Sequence, residues 1–155
     1  MIDTLESAKG TYLLLIRLNQ RTRLTIGRLG TFDFQTGWYA YAGSALGPGG
    51  LQARLARHAR TKKRTHWHID YLLEQARLVQ SWQTACPTRL ECTWASALLQ
   101  LPKAQIAIHR FGASDCRCPG HLVYWPTYPE ANQIKNVLRA ASPDHCDLRH
   151  TNYTQ

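Results

Sequence analysis

Two tyrosine–glycine clusters in the first third of the chain constrain its fold most. Gly10-Thr11-Tyr12 opens a dense aliphatic run over residues 11–18, and Tyr41-Ala42-Gly43-Ser44 closes an aromatic run that begins at Trp38. Between them, residues 24–34 alternate weakly between apolar and polar side chains. Such runs, separated by turn residues, predict an antiparallel unit of three strands.

The rest of the chain alternates between helix and strand patterns. Gly47-Pro48-Gly49-Gly50 ends the first sheet unit, and Leu51, Leu55 and His58 then recur at helical spacing up to Arg60. We therefore expect one α/β domain over residues 1–141, followed by a loose polar tail over residues 142–155. Later patterns predict helices over residues 66–75, 87–100 and 132–140, and strands over residues 76–82, 105–109 and 121–125.

Composition narrows the class of partner. A chain of 155 residues with 44% hydrophobic residues is long enough for one core, and its net charge of +9 favours a polyanionic partner. We favour DNA or another nucleic acid over an acidic membrane surface. The sequence has no apolar run of about 18 residues, and its start lacks the pattern of a secretory signal, so we expect a cytoplasmic protein. It gives no prediction of oligomeric state.

The cysteines allow two interpretations. There are five, an odd number without a framework spacing, which favours free thiols or metal ligands over disulfides. Cys116, Cys118 and His121 lie close enough in sequence to share a soft metal such as zinc, and Cys92 could be a fourth ligand if its helix is adjacent. Without a second paired cluster, the spacing favours a tight loop near the site, with turns capped by Ser114 and Asp115.

Four side chains in the first half of the chain fit the cleavage of a phosphodiester bond. Such cleavage needs a base for the attacking water and positive charge on the developing phosphorane oxygens. Tyr12 and Tyr41 lie on strands that could be adjacent, although a tyrosine acts as a base only if nearby cations lower its pKa from about 10. Arg54 and His58 lie four residues apart on one helix face and would supply positive charge.

A run of basic residues lies on this helix and just beyond its end. It could neutralise several phosphates, so that affinity for nucleic acid falls steeply with salt, or it could be a solvated helix end. We favour phosphate contact. Trp67 and Trp82 could stack on an unpaired base, although Trp67 better fits a place in the core. The cations beyond Arg54 are Arg57, Arg60, Lys62, Lys63 and Arg64.

The order of these residues resembles the GIY-YIG nuclease superfamily over roughly residues 9–125. The resemblance rests on the two tyrosine–glycine clusters, on Arg54 with His58 one turn later, and on Glu91 at the start of a later helix. Three longer stretches resemble the Uri-type branch, which comprises small stand-alone proteins and proteins fused to endonuclease III. These are Trp38-Tyr-Ala-Tyr-Ala-Gly-Ser44, His66-Trp-His-Ile-Asp-Tyr71 and Gly112-Ala-Ser-Asp-Cys-Arg-Cys-Pro-Gly-His-Leu122.

The resemblance implies both a fold and a set of roles. It implies a small central sheet of three antiparallel strands flanked by helices, and one Mg²⁺ or Mn²⁺ ion held by Glu91 and water. Arg54 would bind the scissile phosphate, Tyr41 or Tyr12 would be the general base, and His58 would assist. Glu91 has a competing interpretation, since Thr88-Arg-Leu-Glu91 fits a capping box.

The sequence also departs from the family pattern. Twenty-eight residues separate Tyr12 from Tyr41, which is longer than usual and requires an extended hairpin or an extra strand. Thr11 and Ala42 replace isoleucines at positions that we assign no chemistry, and no asparagine matches the one that often follows the metal-binding glutamate. We expect a metal-dependent DNA endonuclease. The alternatives are a nucleic-acid-binding module without catalysis and an accessory to a DNA repair enzyme.

Overall fold

Every residue from Gly10 to Ile16 is buried, because the first strand lies in the middle of a sheet that is covered on both faces. The structure, a computed structural model, describes residues 8–113 and 116–153. Its strands are β1 (Gly10–Leu18), β2 (Thr22–Ile26), β3 (Gly30–Phe34), β4 (Gly37–Ala45), β5 (Arg77–Thr84), β6 (Gln105–Ile106), β7 (Leu122–Trp125) and β8 (Arg149–Asn152). Its helices are α1 (Gly50–Ala59), α2 (His68–Leu73), α3 (Glu91–Leu98) and α4 (Ala131–Ala140).

The main sheet confirms the expected α/β class and is wider than the three strands predicted. Its order is β6-β7-β4-β1-β5-β8, and each neighbouring pair is antiparallel. Within the described part of the chain, strands β2 and β3 pair only with each other, so the long stretch between Tyr12 and Tyr41 contains a separate hairpin. The aliphatic run of the sequence is therefore the centre of the sheet.

Alternation along β1 sends its side chains into two cores. Tyr12, Leu14 and Ile16 pack on one face with residues of α1, α2 and the hairpin, among them Leu51 and Ile69. Leu13 and Leu15 pack on the other face with residues of α3 and α4, among them Trp94 and Ile134. Because both faces are buried, the strand shows no polar alternation in the sequence.

The expectation of a loose tail is wrong for the end of the described chain. Strand β8 adds to the edge of β5, the ring of His150 stacks on Trp82 at 4.7 Å, and the Tyr153 hydroxyl lies 2.9 Å from that of Ser81. Short polar strands carry little periodic signal, so only the available sheet edge indicates this pairing. The domain boundary at residue 141 stays a prediction.

The prediction of free thiols or metal ligands is wrong for one pair of cysteines. Cys86 and Cys146 form a disulfide across a sequence separation of 60 residues, with a Cα–Cα distance of 5.6 Å. This pairing depends on the return of the C-terminal segment beside β5, which the spacing of cysteines does not reveal. Ser114 and Asp115, the predicted turn caps, lie outside the described residues. Among the described helices, none is long and apolar enough to cross a membrane.

Candidate active site

A cavity of about 220 Å³ brings together side chains from distant parts of the sequence. Of the five predicted catalytic residues, all but His58 line it directly, and His58 contacts Tyr12 from behind. Strands β1 and β4 contribute the phenols, α1 the guanidinium and α3 the carboxylate. The residues that line this cleft are Tyr12, Tyr41, Gly43, Ser44, Arg54, Trp67, Arg89, Glu91, Gly112 and His121.

The register of β1 and β4 explains why the second cluster needs its glycine. Tyr12 lies directly opposite Gly43, and the two phenol rings have centroids 6.3 Å apart. A Cβ atom at Gly43 would lie 2.6 Å from Tyr12 Cζ and Oη and 3.0 Å from Tyr41 Cε2. The missing side chain therefore makes the space in which both phenols approach the cleft.

Tyr12 and His58 form a buried pair. Tyr12 Oη lies 2.8 Å from His58 Nε2. Burial lowers the pKa of His58 to about 3, so its ring is neutral, and Nδ1 has no hydrogen-bond partner within the described residues. In the tautomer with its proton on Nδ1, His58 accepts a hydrogen bond from the Tyr12 hydroxyl through Nε2.

Both phenols are poor bases at neutral pH. Burial raises the pKa of Tyr12 to about 12, and the nearby guanidinium of Arg54 offsets only part of this rise. Burial also raises the pKa of Tyr41 well above its ordinary value, and the neighbouring Tyr12 adds to the rise. The lowered pKa that the sequence interpretation required is therefore not present in the protein alone.

Arg54 is held at the cleft by two contacts. Its Nη1 donates to the backbone oxygen of Ser44 at 2.8 Å, and its guanidinium lies 4.2 Å from the centroid of the Trp67 ring. An arginine has five N–H groups, so donors remain for an anionic ligand. Trp67 is half-buried and packs against the core, as expected, and it is not an open stacking platform because Arg54 and Arg57 both contact its ring.

The buried carboxylate of Asp70 organises the surface behind Arg54. It accepts hydrogen bonds at 2.9 Å from both terminal nitrogens of Arg57 and from the backbone N–H groups of His66 and Trp67. Burial alone would raise the pKa of Asp70, but the hydrogen bonds from Arg57, Trp67 and His66 outweigh it and lower the pKa. The carboxylate therefore fixes the turn that presents Trp67 to Arg54.

Glu91 is the first residue of α3, and its neighbours set its position. The N-cap is Leu90, whose N–H donates to the buried Thr11 hydroxyl on β1 at 3.1 Å. The capping-box interpretation is therefore wrong, because Thr88 and Glu91 do not occupy the N-cap and N3 positions. Thr11 is a positioning residue that the sequence interpretation missed, and a hydroxyl inside an apolar strand was the available signal.

One oxygen of Glu91 is bound and the other is not. Arg89 Nε donates to Oε1 at 3.1 Å, whereas Oε2 is buried without a hydrogen-bond partner in residues 8–113 and 116–153. A buried carboxylate oxygen is costly to leave unsatisfied. The position of this oxygen in a residue that lines the cleft fits a bound cation or water.

The predicted basic run divides into two groups. Arg57 is bound by Asp70 and the Arg64 backbone oxygen, and Lys63 donates to the carbonyl oxygens of His58 and Arg60 at the end of α1. Lys63 therefore caps the helix, and burial lowers its pKa. The exposed side chains of Arg60, Lys62 and Arg64 are the better candidates for phosphate contact.

Beside the cleft, three thiols and an imidazole converge. Their ligand atoms all lie within 4.8 Å of one another, and the side chains are half-buried or buried. Burial raises the pKa of the Cys92 and Cys118 thiols. The sequence favoured an ordinary loop here, but α3 brings Cys92 against that loop. We name this group the Cys₃His cluster: Cys92, Cys116, Cys118 and His121.

A larger cavity, of about 580 Å³, lies beside the C-terminal segment of the described chain. Its lining includes Leu51, Gln83, His145 and Tyr153 and none of the predicted catalytic residues. The volume of a cavity therefore does not identify the candidate active site. We identify it by the cleft in which phenols, a guanidinium and a carboxylate lie together.

Comparison with protein families gives one match. Residues 11–142 match the family described as Domain of unknown function DUF123. The chain belongs to this family. The match includes every residue of the cleft and of the Cys₃His cluster, so both are parts of the DUF123 domain, whereas β8 lies beyond it. The comparison with curated proteins and the comparison with solved structures each gave no match.

Proposed function

We propose that this DUF123 protein is a GIY-YIG-type endonuclease that hydrolyses phosphodiester bonds in DNA. The observation that supports the proposal is the single cleft shared by Tyr12, Tyr41, Arg54 and Glu91. Positions 12 and 91 are far apart in sequence, and the hydrogen bond between Thr11 and Leu90 that holds α3 on β1 brings both side chains to the same cleft. A cleft of this composition offers cationic, acidic and phenolic groups within the space of one phosphate.

Arg54 is the group that binds the scissile phosphate. Its guanidinium is oriented by Ser44 and Trp67 before any ligand arrives, so little side-chain entropy remains to be lost on binding. The developing negative charge of a phosphorane would be stabilised by this fixed cation in a cleft with buried walls.

Glu91 is the residue that would hold a divalent metal. Its buried Oε2 atom lacks a partner among the described residues, and Mg²⁺ and Mn²⁺ prefer such oxygen ligands. When bound, the ion would supply positive charge to the phosphate oxygens. Thr11 keeps the carboxylate in place by fixing the N-cap of α3.

Tyr12 is our choice for the general base. It is paired with the neutral His58 ring, and the Arg54 guanidinium favours its charged form. His58, whose ring stays neutral, positions the phenol through this contact. The phenol loses its proton to solvent as the pH rises, which leaves the phenolate oxygen to accept a proton from the attacking water. Tyr41 bounds the other side of the space and would orient that water.

Exposed cations extend the candidate surface for DNA beyond the cleft. Arg60, Lys62 and Arg64 lie at and just beyond the end of α1, the helix that also carries Arg54. Contacts to about three phosphates would make the logarithm of affinity fall with the logarithm of salt with a slope of about −3. Roles in DNA repair and a cytoplasmic location stay predictions.

The test is cleavage of end-labelled single-stranded and double-stranded DNA with Mg²⁺ or Mn²⁺. We expect Glu91→Gln and Arg54→Ala to reduce cleavage at least about a hundredfold, as loss of a fixed transition-state charge does elsewhere. Two matched controls remove the same groups from exposed positions, Glu74→Gln and Arg28→Ala. Cleavage that is unchanged in Glu91→Gln refutes the proposal.

A second candidate is a binding module without turnover. The raised pKa values of both phenols favour it, because neither is an effective base at neutral pH. Wild-type protein that binds DNA in a salt-dependent manner but cuts none would support this candidate. Protein that neither cuts nor binds DNA would instead favour an accessory role beside a repair enzyme.

A further inference from the structure

The Cys₃His cluster is built from two separate pieces of chain. Cys92 is the second residue of α3, and the other three ligands lie in the loop before β7. His121 Nε2 lies 3.4 Å from Cys92 Sγ and 3.3 Å from Cys116 Sγ. Cys118 Sγ lies 2.8 Å from Cys92 Sγ and 3.3 Å from Cys116 Sγ. Each of the four donor atoms therefore has at least two close partners in the cluster.

These separations are close to those of a tetrahedral site. With Zn–S bonds of about 2.3 Å and a Zn–N bond of about 2.0 Å, sulfur–sulfur edges are about 3.8 Å and sulfur–nitrogen edges about 3.5 Å. The two sulfur–nitrogen distances of 3.3 and 3.4 Å nearly match already. The shortest sulfur–sulfur distance, 2.8 Å, would need to widen by about 1 Å. Small side-chain rotations provide such a change.

The chemistry of the donors selects the ion. Three thiolates and one imidazole form a soft set that suits Zn²⁺, whereas Mg²⁺ and Mn²⁺ prefer oxygen. The cluster therefore differs in kind from Glu91, whose free donor is a carboxylate oxygen. Four protein ligands complete a tetrahedron and leave no position for substrate, as in structural sites.

The loop that carries three of the ligands is already fixed at both ends. His121 exchanges backbone contacts with Phe111 and Ala42, at 2.8 and 3.0 Å, and Arg110 Nη1 donates to the Cys118 carbonyl oxygen at 2.9 Å. Gly112 N donates to His68 Nδ1 at 2.9 Å. This backbone framework aims the ligands at one point, so metal binding would require little further ordering.

We propose that the Cys₃His cluster binds one Zn²⁺ ion that joins the first turn of α3 to the loop closing the cleft. Cys92 directly follows Glu91, and His121 lines the cleft itself. Gly112 lies on the same loop, where a Cβ atom would come 2.8 Å from Tyr41 Cε1. The ion thus holds the Glu91 backbone against the wall that packs on Tyr41. The metal site does not depend on the proposed cleavage activity.

Metal content and Co²⁺ spectra test the site without reference to activity. Purified full-length protein should contain one Zn²⁺ per chain by elemental analysis, and metal-free protein titrated with Co²⁺ should show the thiolate charge-transfer and d–d bands of a tetrahedral site. Cys116→Ser should lose most of the Zn²⁺ and change these bands. The control is Cys86→Ala/Cys146→Ala, which removes two cysteines of the other group of possible metal ligands and should keep the ion when measured at a temperature at which this variant is still folded.

If Cys116→Ser folds poorly, two further measurements can still refute the proposal. Removal of Zn²⁺ from wild-type protein should lower its melting temperature, and added Zn²⁺ should restore it. Peptide mass analysis without reductant distinguishes a metal site from a Cys92–Cys118 disulfide. That disulfide, absence of Zn²⁺ from the wild type, or loss of Zn²⁺ only in the control variant would overturn the proposal. DNA cleavage that is absent while Zn²⁺ is present would refute only the nuclease proposal.

Discussion

The Asp70 carboxylate should be the most costly polar side chain to alter behind the cleft. It is fully buried, and its Arg57 partner is 19% exposed, so the pair is largely shielded from water. Removing one partner of such a pair costs about 3–5 kcal/mol, because the other charge stays buried without compensation. Asp70→Asn would also place an amide donor against N–H donors of Arg57, His66 or Trp67.

The assay is equilibrium unfolding in urea, followed by tryptophan fluorescence. With a dependence of about 2 kcal/mol per molar urea, a loss of about 4 kcal/mol lowers the midpoint by about 2 M. Asp33→Asn is the matched control, because its ion pairs with Arg21 and Arg23 lie on the exposed hairpin and should contribute less than about 1 kcal/mol. Similar midpoints for Asp70→Asn and Asp33→Asn would refute the reasoning.

The pH dependence gives a second check on the same carboxylate. Its pKa is lowered in the folded protein, so its contribution to stability is present above the unfolded pKa of about 3.9 and is lost as the pH falls below it. The difference in unfolding free energy between wild type and Asp70→Asn should therefore be constant from about pH 7 to pH 5 and shrink below about pH 4. A difference that stays constant to pH 3 contradicts the assignment.

Three other predictions follow from the structure. Gly43→Ala places a methyl group against both phenols and should cost about 1–3 kcal/mol in urea unfolding, together with most DNA cleavage; an unaltered midpoint would show that the rings can move. If Tyr12 is the base, its pKa of about 12 means that the cleavage rate rises about tenfold per pH unit from about pH 6 to 9; this rise should vanish in Tyr12→Phe and persist in Tyr41→Phe. Cys86→Ala/Cys146→Ala should lose about 4 kcal/mol of stability, because the disulfide closes a loop of 60 residues, and reductant should then have no further effect; equal stability with and without reductant in the wild type would contradict this.

The central strands and the helix that carries Arg54 could be predicted from local sequence. The aliphatic run of β1 and the helical spacing of Leu51, Leu55 and His58 are signals carried by neighbouring residues, and both elements formed where expected. The stretch between Tyr12 and Tyr41 was predicted less well. Residues 24–34 were expected to form one strand of the central unit, with an extended hairpin or an extra strand left open, and they instead lie in the separate hairpin of β2 and β3.

Properties of the site that depend on its environment could not be predicted. The sequence does not show that Tyr12 is buried, and burial is what raises its pKa to about 12. The sequence also places Arg57 on a helix without showing that Asp70 binds it. The sequence shows Thr11 only as part of an apolar strand. In the structure, α3 places the Leu90 N–H 3.1 Å from the Thr11 hydroxyl. Each of these depends on desolvation or on a partner far away in sequence.

The sequence by itself determined the central strands, the helix that carries Arg54 and the chemical groups of the chain, because periodicity and turn residues act over a few neighbours. Only the tertiary structure decided which groups meet: Glu91 with the phenols, Cys92 with the cysteine–histidine loop, and β8 with the edge of β5. These contacts join residues up to 79 positions apart in sequence. They form because one layer of helices packs on each face of the sheet.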